Sequence, residues 1–173
     1  MSNLQGRRVA FLVTNGYEPS ELYSPWDTVV ENGGEAVLVS PESDAVSGKD
    51  HSQKVDVNVA EANADEFDAL VLPGGTKNAD QLRMNNDAVK FTKAFFEANK
   101  TVASICHAAW MLAEADVAQG RNMTSYPSLQ TDLRNAGAHW SDEELVVDGN
   151  LITSRTPKDL PAFNEAIVNK LTE

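Results

Sequence analysis

The chain contains one cysteine, Cys106, and it stands where a reactive thiol is expected. The apolar run before it, at 101–103, predicts a buried strand, and residues 108–113 after it predict a helix. A side chain on a tight turn between a strand and a helix occupies a nucleophile elbow, which needs small neighbours such as Ser104 and Ala108. Because a helix start favours negative charge, we expect a thiolate here.

Two further groups follow other predicted strands. Glu18 comes after the strand predicted at 9–13, and a double glycine at 74–75 comes after the strand predicted at 68–72. The carboxyl ends of parallel strands meet at one edge of a sheet, so we expect these groups to share a site with Cys106. We expect Glu18 to hydrogen-bond the sulfur or to carry its proton. A buried glutamate with a raised pKa is the more useful partner, because the protonated form stabilises a thiolate whereas the ionised form repels it.

The remaining parts of the predicted site are backbone donors and a histidine. The N–H groups of Gly75 and His107 are the expected cradle for a developing oxyanion, and glycine at 74 and 75 permits a close approach. His107 is adjacent to Cys106, so we expect it to point outward rather than to bend round and deprotonate its neighbour. Taken singly, Cys106 also fits a small buried hydrophobic residue, Glu18 a surface acid and Gly74-Gly75 an ordinary turn.

No metal or cofactor is expected. No motif around His51 or His139 suggests a chemical role, and we interpret them as surface or packing residues. No ligand spacing accompanies Cys106 and His107 that would predict a metal site. The glycines fit neither the dinucleotide pattern nor the phosphate-loop pattern.

The elements that must position these groups alternate between strands and helices. Near-continuous apolar runs at 9–13, 36–39, 68–72 and 101–105 predict strands covered on both faces. Amphipathic segments between them predict helices, so the chain predicts an α/β fold with a mostly parallel sheet between helical layers. Alternating valines at 55–59 and a hairpin at 145–153 are expected to add antiparallel strands.

Length and charge limit the classes of protein that fit. The 173 residues predict a single domain spanning 1–173, and the single cysteine excludes a disulfide within one chain. The net charge of −12 comes without a basic stripe, so we expect no nucleic-acid partner. No signal peptide or membrane-spanning run is visible, so the expected location is the cytoplasm, without membrane association.

Several motifs together resemble one known family. They are GYE at 16–18, LVLPGG at 70–75, ASICH at 103–107, TSYP at 124–127, NAGA at 135–138, VVDGNL at 146–151 and TSR at 153–155. In this combination the chain resembles the ThiJ/PfpI superfamily, and within it the bacterial general-stress-protein branch near the intracellular protease. The resemblance implies a three-layer flavodoxin-like sandwich, related to the class I glutamine amidotransferases, with the cysteine on its elbow.

The resemblance also implies a site and an assembly. It implies a homo-oligomer, a dimer or a hexamer, and a cysteine site completed by a glutamate, which by match is Glu18. In the protease branch an acid from a neighbouring subunit orients the histidine after the cysteine, and Asp80 occupies that place here. Trp110 and Tyr126 are candidates to line the mouth of the site, although Trp110 also fits the helix core.

Two departures from the family pattern affect the expected activity. Ala108-Ala109 replaces the usual glycine and proline, which is expected to narrow the pocket, and Asp80 replaces a glutamate. The chain has His139-Trp140-Ser141 where an amidotransferase triad needs a His-x-Glu pair, so amidotransfer is not expected.

The expected function is thiol-dependent chemistry on small electrophilic carbonyls, of the glyoxalase or deglycase type. A cysteine peptidase is a variant that requires His107 to be aligned by Asp80. The alternatives are a stress protein whose Cys106 senses peroxide by stepwise oxidation, and a chaperone-like holdase. The sensor and the enzyme would use the same site, so the sequence does not separate them.

Overall fold

The structure is a computed structural model that describes residues 3–173. Its strands are β1 (Arg8–Leu12), β2 (Glu35–Ser40), β3 (Ala45–Gly48), β4 (His51–Lys54), β5 (Val57–Asn58), β6 (Ala69–Leu72), β7 (Thr101–Ile105), β8 (Asn122–Met123), β9 (His139–Trp140), β10 (Val146–Asp148) and β11 (Leu151–Ser154). Its helices are α1 (Pro19–Glu31), α2 (Thr76–Leu82), α3 (Asn86–Glu97), α4 (Ala109–Glu114), α5 (Gln130–Asn135) and α6 (Leu160–Leu171).

The central sheet has seven strands in the order β10-β11-β7-β6-β1-β2-β5. All neighbours in it are parallel except β10 and β11, which form the hairpin predicted from the sequence. The four apolar runs at 9–13, 36–39, 68–72 and 101–105 supply its centre, as predicted. The α/β fold with a mostly parallel sheet is therefore confirmed.

The alternating valine segment behaves differently from the prediction. Only Val57 and Asn58 form a strand, β5, and it pairs parallel with β2 rather than antiparallel. The preceding polar segment folds into a separate hairpin of β3 and β4. This hairpin takes the chain away from the sheet and returns it in the direction of β2, where Asp56 accepts the Leu38 N–H at 2.8 Å.

Helices cover both faces of the sheet, and each face has its own apolar core. On one face α1 and α6 pack on the sheet through side chains such as Leu22 and Phe163. On the other face α3 and α4 do so through Phe91, Phe95 and Leu112. Each fully buried side chain of this size contributes about 2 kcal/mol of hydrophobic stabilisation. No helix within residues 3–173 has the length and apolar character needed to cross a membrane.

Candidate active site

The strand, turn and helix predicted around Cys106 are all present. β7 ends at Ile105, a single 3₁₀ turn spans Cys106–Ala108, and α4 begins at Ala109. Cys106 has φ = 63°, in the left-handed region that non-glycine residues seldom occupy. Its side chain is buried, with 8% exposed. A residue held in this conformation by its surroundings is typical of functional sites.

The carboxyl that meets the thiol belongs to Glu21, not to Glu18. Glu21 is fully buried in the first turn of α1, and its Oε1 accepts the Gly74 N–H at 3.0 Å. The neighbouring Cys106 thiol lowers the pKa of this carboxyl, against the burial that raises it. Among residues 3–173, the buried Oε2 has no partner in ordinary hydrogen-bond geometry. The sequence interpretation overlooked this residue.

Glu18 lies beside the same cavity but does not contact the sulfur in this way. It precedes α1 as the N-cap residue, it is half-buried, and its Oε1 accepts a hydrogen bond from the Ser20 hydroxyl at 3.1 Å. One helical turn separates it from Glu21, and only Glu21 lies on the face that packs into the protein. Among the described residues Glu18 thus forms no hydrogen bond to the sulfur, although its charge raises the pKa of both Glu21 and Cys106. Its role as a carrier of the thiol proton stays a prediction.

The buried face of α1 carried the signal that identifies Glu21. Its buried residues are Glu21, Leu22, Pro25 and Val29, and three of them are spaced by four. An acidic residue on an apolar helical face is unusual, because burying a carboxyl is costly unless it is protonated or hydrogen-bonded. That spacing was visible in the sequence and favours Glu21 over Glu18.

Burial controls the protonation of this pair. Burial, and then the charge of Glu18, raise the pKa of Glu21 from 4.5 to about 8, against the Gly74 N–H and the thiol, which lower it. Burial, and then the charge of Glu21, raise the pKa of Cys106 from 9.0 to about 12. The N–H groups of His107 and Gly75 oppose that rise. Both groups are therefore protonated at neutral pH.

The expected resting thiolate is accordingly not what the structure favours. Desolvation outweighs the effect of the helix start, and α4 begins only after the 3₁₀ turn that Cys106 opens. The raised pKa of a buried glutamate was predicted, but the residue is Glu21. In its protonated form Glu21 can donate a proton to a thiolate or to an oxygen that develops next to it.

The double glycine is required by close contacts. A Cβ on Gly74 would lie 2.8 Å from the Cβ of Cys106 and against Oε1 of Glu21. Gly75 has φ = +99°, and a Cβ there would lie 2.6 Å from the Glu18 nitrogen. The turn thus brings backbone N–H groups to Glu21 and Cys106, where a side chain would keep them apart.

His107 reaches the sulfur, contrary to the expectation that it would point outward. Its Nδ1 lies 3.3 Å from Sγ of Cys106, and its Nε2 lies 3.4 Å from the Thr76 hydroxyl. The left-handed turn at Cys106 brings the two neighbouring side chains together. The ring stacks on Tyr126 with centroids 4.6 Å apart. Burial lowers the pKa of His107, so the imidazole is neutral at neutral pH and Nδ1 can accept a proton.

Asp80 lies away from this cluster within the chain. It is exposed on α2, and its carboxylate accepts a hydrogen bond from the Gln81 side chain at 3.3 Å. Among the described residues, its carboxylate has no hydrogen bond to His107. The expected contact with a second subunit is not tested by one chain.

The two aromatic candidates occupy different places. Tyr126 lines the cavity and is 38% exposed. Trp110 packs edge-on against His107, at 5.3 Å between centroids, and donates its indole N–H to Asp132 at 3.0 Å. It lies outside the cavity lining and against the core, which agrees with its alternative interpretation.

A cavity of about 510 Å³ opens above Cys106. Its lining comprises Gly16, Tyr17, Glu18, Pro19, Glu21, Lys49, Gly75, Thr76, Cys106, His107, Tyr126 and Pro157. Ala108 and Ala109 are absent from it, since both are buried in the core. The replacement of glycine and proline therefore does not narrow this cavity directly.

Tyr17, which lines the cavity, makes a contact behind it that the sequence did not predict. The hydroxyl of Tyr17 lies 2.6 Å from Nδ1 of His51 on β4. His51, interpreted from sequence as a surface or packing residue, thus helps to hold the hairpin of β3 and β4 against the site. Within residues 3–173 no group of three or more acidic, histidine or cysteine side chains is arranged to hold a metal ion.

The fold and the site together define an α/β protein with a buried cysteine on a nucleophile elbow and a glutamate beside it. The family model described as the DJ-1/PfpI family matches residues 7–170. The chain belongs to the DJ-1/PfpI family, which confirms the resemblance drawn from the motifs.

Relatives of known name agree with that assignment. The chain is 43% identical to Deglycase PH1704 of Pyrococcus horikoshii over 165 residues, which cover 95% of this chain and 99% of that protein. It is 40% identical to General stress protein 18 of Bacillus subtilis, with 92% and 94% covered. The crystal structure of Drosophila melanogaster DJ-1beta superposes with a TM-score of 0.90 at 28% identity, covering 99% of this chain and 91% of that one. The flavodoxin-like fold is thereby confirmed.

Proposed function

We propose that this protein uses the Cys106 thiol to transform small electrophilic carbonyl compounds, as a glyoxalase or deglycase-type enzyme. The observation that carries the proposal is the buried Cys106–Glu21 pair on the floor of an open cavity. A thiol and a protonated carboxyl side by side supply a nucleophile and an acid for carbonyl addition. The name of the deglycase that is 43% identical supports the same chemistry.

The first step is addition of sulfur to the carbonyl carbon. The thiol proton moves to Nδ1 of His107, 3.3 Å away, and the sulfur forms a bond to carbon while the C=O π bond breaks. The carbonyl oxygen takes the proton of Glu21, and the proton that His107 received from the thiol then restores the Glu21 carboxyl. The product is a hemithioacetal, and the N–H groups of Gly75 and His107 are the donors for its oxygen.

The later steps regenerate the thiol. With a 2-oxoaldehyde, the carbon that bears sulfur loses its proton, which gives an enediol. The neighbouring carbon then gains a proton while the hydroxyl proton moves from the first oxygen to the second, which gives a thioester of a 2-hydroxy acid. Water then attacks the thioester, the C–S bond breaks, and the acid leaves with the thiol restored. This sequence consumes one water molecule and needs no external oxidant or reductant.

A weaker peptidase activity is a variant of the same proposal. His107 is already within reach of the sulfur, but its Nε2 meets only the Thr76 hydroxyl at 3.4 Å among the described side chains. An acid at Nε2 would orient the ring and stabilise its protonated form. We propose that Asp80 of a second copy supplies it in a homodimer or hexamer.

The alternative function is a redox sensor. In that reaction the thiolate of Cys106 attacks an oxygen of hydrogen peroxide and the O–O bond breaks. The leaving hydroxide takes the proton that the thiol released, so a sulfenic acid and water form. Two features favour it: the chain has no second cysteine to convert this acid into an internal disulfide, and Glu21 Oε2 is a buried oxygen without a partner among residues 3–173. Intact mass after graded peroxide tests it, since an inert Cys106 would exclude the sensor.

Methylglyoxal turnover by four proteins tests the enzymatic proposal. We expect wild type to be active, Cys106→Ser to be inactive and Glu21→Gln to lose about a hundredfold in kcat, as typical for a missing acid–base group. Glu18→Gln is the matched control, because it removes the neighbouring carboxyl that does not hydrogen-bond the sulfur, and it should retain most activity. Wild-type turnover no greater than that of Cys106→Ser would refute the proposal.

A further inference from the structure

Asn78 is a fully buried side-chain amide on α2 whose hydrogen bonds all reach backbone groups near the active site. Its Oδ1 accepts the Thr14 N–H at 2.7 Å, just beyond the end of β1. Its Nδ2 donates to the carbonyl of Pro73 and to the carbonyl of Gly74, both at 3.0 Å. This one amide therefore joins the chain after β1, the turn after β6 and α2.

The two carbonyls that Asn78 holds belong to the peptide units that serve the active site. The Pro73 carbonyl and the Gly74 N–H form one planar trans unit, and the Gly74 carbonyl and the Gly75 N–H form the next. In such a unit the C=O and the N–H point in opposite directions. A donor that holds the carbonyl from one side therefore aims the N–H toward the other side.

Both N–H groups meet the reacting pair. The Gly74 N–H donates to Oε1 of Glu21 at 3.0 Å. The turn packs closely on Cys106, since a Cβ on Gly74 would lie 2.8 Å from the Cβ of Cys106, and the Gly75 N–H lowers the pKa of the thiol. Neither contact involves Asn78 itself, which lies behind the turn. The amide thus reaches the active site only through the orientation of these two peptide units.

We propose that Asn78 is a positioning residue that aims the Gly74 and Gly75 N–H groups at Glu21 and Cys106. Such a device is needed here because glycine has unusual freedom of backbone rotation, and Gly75 occupies φ = +99°. Without the Asn78 side chain, the one hydrogen bond left to the Gly74 carbonyl within residues 3–173 is from the Glu18 N–H, at the longer distance of 3.2 Å. This single longer bond holds the Gly74–Gly75 peptide less firmly, so the peptide can rotate and turn its N–H away from the sulfur.

Alkylation of Cys106 by iodoacetamide at pH 9 tests this inference. In Asn78→Ala we expect alkylation about tenfold slower than in wild type, because loss of a hydrogen bond to a charged group destabilises the thiolate that reacts. The amide resonances of Gly74 and Gly75 in NMR spectra should shift in the same variant. Asn85→Ala is the matched control, since it removes another asparagine that bonds a backbone N–H, that of Ala88 at 2.9 Å, away from the site.

The outcomes separate positioning from general loosening. The inference would be overturned if Asn78→Ala folds, is alkylated at the wild-type rate and shows unshifted amide resonances for Gly74 and Gly75. Faster alkylation of Asn78→Ala, or an equally large effect in Asn85→Ala, would also overturn it. If Asn78→Ala does not fold, Asn78→Leu makes the same test, because it fills the space without donors. Alkylation needs only the reactive thiol assigned under the proposed function and no turnover, so failure of one proposal is distinguishable from failure of the other.

Discussion

Glu21 and Cys106 form a buried acid–thiol pair in which the charge of Glu21 makes the thiol harder to ionise, whereas the thiol makes the carboxyl easier to ionise. Burial is the larger effect on both groups and raises the pKa of each. The Gly74 N–H donates to the carboxyl, and the His107 and Gly75 N–H groups meet the sulfur. The pair therefore favours the neutral state at rest and supports one negative charge at a time.

Glu21 makes the stability of the protein depend on pH. In the unfolded chain its carboxyl ionises near pH 4.5, whereas in the folded chain it stays protonated until about pH 8. Between those values the unfolded state binds fewer protons, so the free energy of unfolding falls as the pH rises and then levels off above pH 8. The full fall is on the order of 5 kcal/mol.

Urea unfolding of wild type and Glu21→Gln at pH 5 and at pH 9 measures this contribution. We expect the variant to lose most of the dependence, since glutamine does not ionise and retains an oxygen for the Gly74 N–H. Glu18→Gln is the control and should keep most of the pH dependence of the free energy of unfolding, because burial of Glu21 is the main cause of its raised pKa. The same slope in Glu21→Gln as in wild type would contradict the assignment.

The thiol of Cys106 should ionise only at high pH. With a pKa raised to about 12, its alkylation rate should rise by about tenfold per pH unit above neutrality without a plateau below pH 9. In Glu21→Gln the rate at pH 9 to 10 should be higher, because the repelling charge is absent. Iodoacetamide kinetics followed by intact mass provide the measurement. A plateau in wild type near pH 7 would instead indicate the stabilised thiolate expected from the sequence.

Gly75 should tolerate a side chain far less well than an open glycine of similar backbone conformation. Gly75 and Gly120 both have positive φ, +99° and +78°, but a Cβ on Gly120 would have no neighbour within 4 Å in the part of the chain that the structure describes. Gly120→Ala should therefore cost about 1 kcal/mol from backbone strain alone. Gly75→Ala should cost about 2 kcal/mol or more and abolish methylglyoxal turnover, because its Cβ displaces the backbone near Glu18. Equal losses of stability in urea unfolding would show that the close contacts do not matter.

Asp80 tests the proposed role of a second subunit. Asp80→Asn should abolish hydrolysis of a fluorogenic peptide while leaving Cys106 alkylation unchanged, because the thiol and its partners lie within one chain. Asp65→Asn is a matched control, an exposed aspartate in another part of the molecule. Light scattering after gel filtration reports the oligomer. A monomer whose peptidase activity survives Asp80→Asn would exclude the intersubunit contact.

The main framework of the site could be predicted from local sequence. Strand β7 was visible as an apolar run, and the turn at Cys106 followed from its small neighbours. The double glycine was predicted to approach the site, and its contacts require glycine. These features depend on a few consecutive residues, so a local pattern was sufficient.

The partner of the cysteine required more than local pattern. Glu18 and Glu21 are one helical turn apart, and the rotation of α1 against the sheet decides which carboxyl faces inward. That rotation is set by the packing of the buried face of α1, although the spacing of its apolar residues was an available clue. The contact between the His107 ring and the Cys106 sulfur depends likewise on the positive φ angle of Cys106.

The sequence by itself determined the parallel sheet, the elbow that presents Cys106 and the family to which the chain belongs, because apolar runs, small residues and motifs are local properties. The tertiary structure alone decided that Glu21 contacts the thiol, that Asn78 holds the turn and that the pair is protonated at rest. Those properties arise from desolvation and from contacts between distant segments. Both depend on how the helices pack against the sheet.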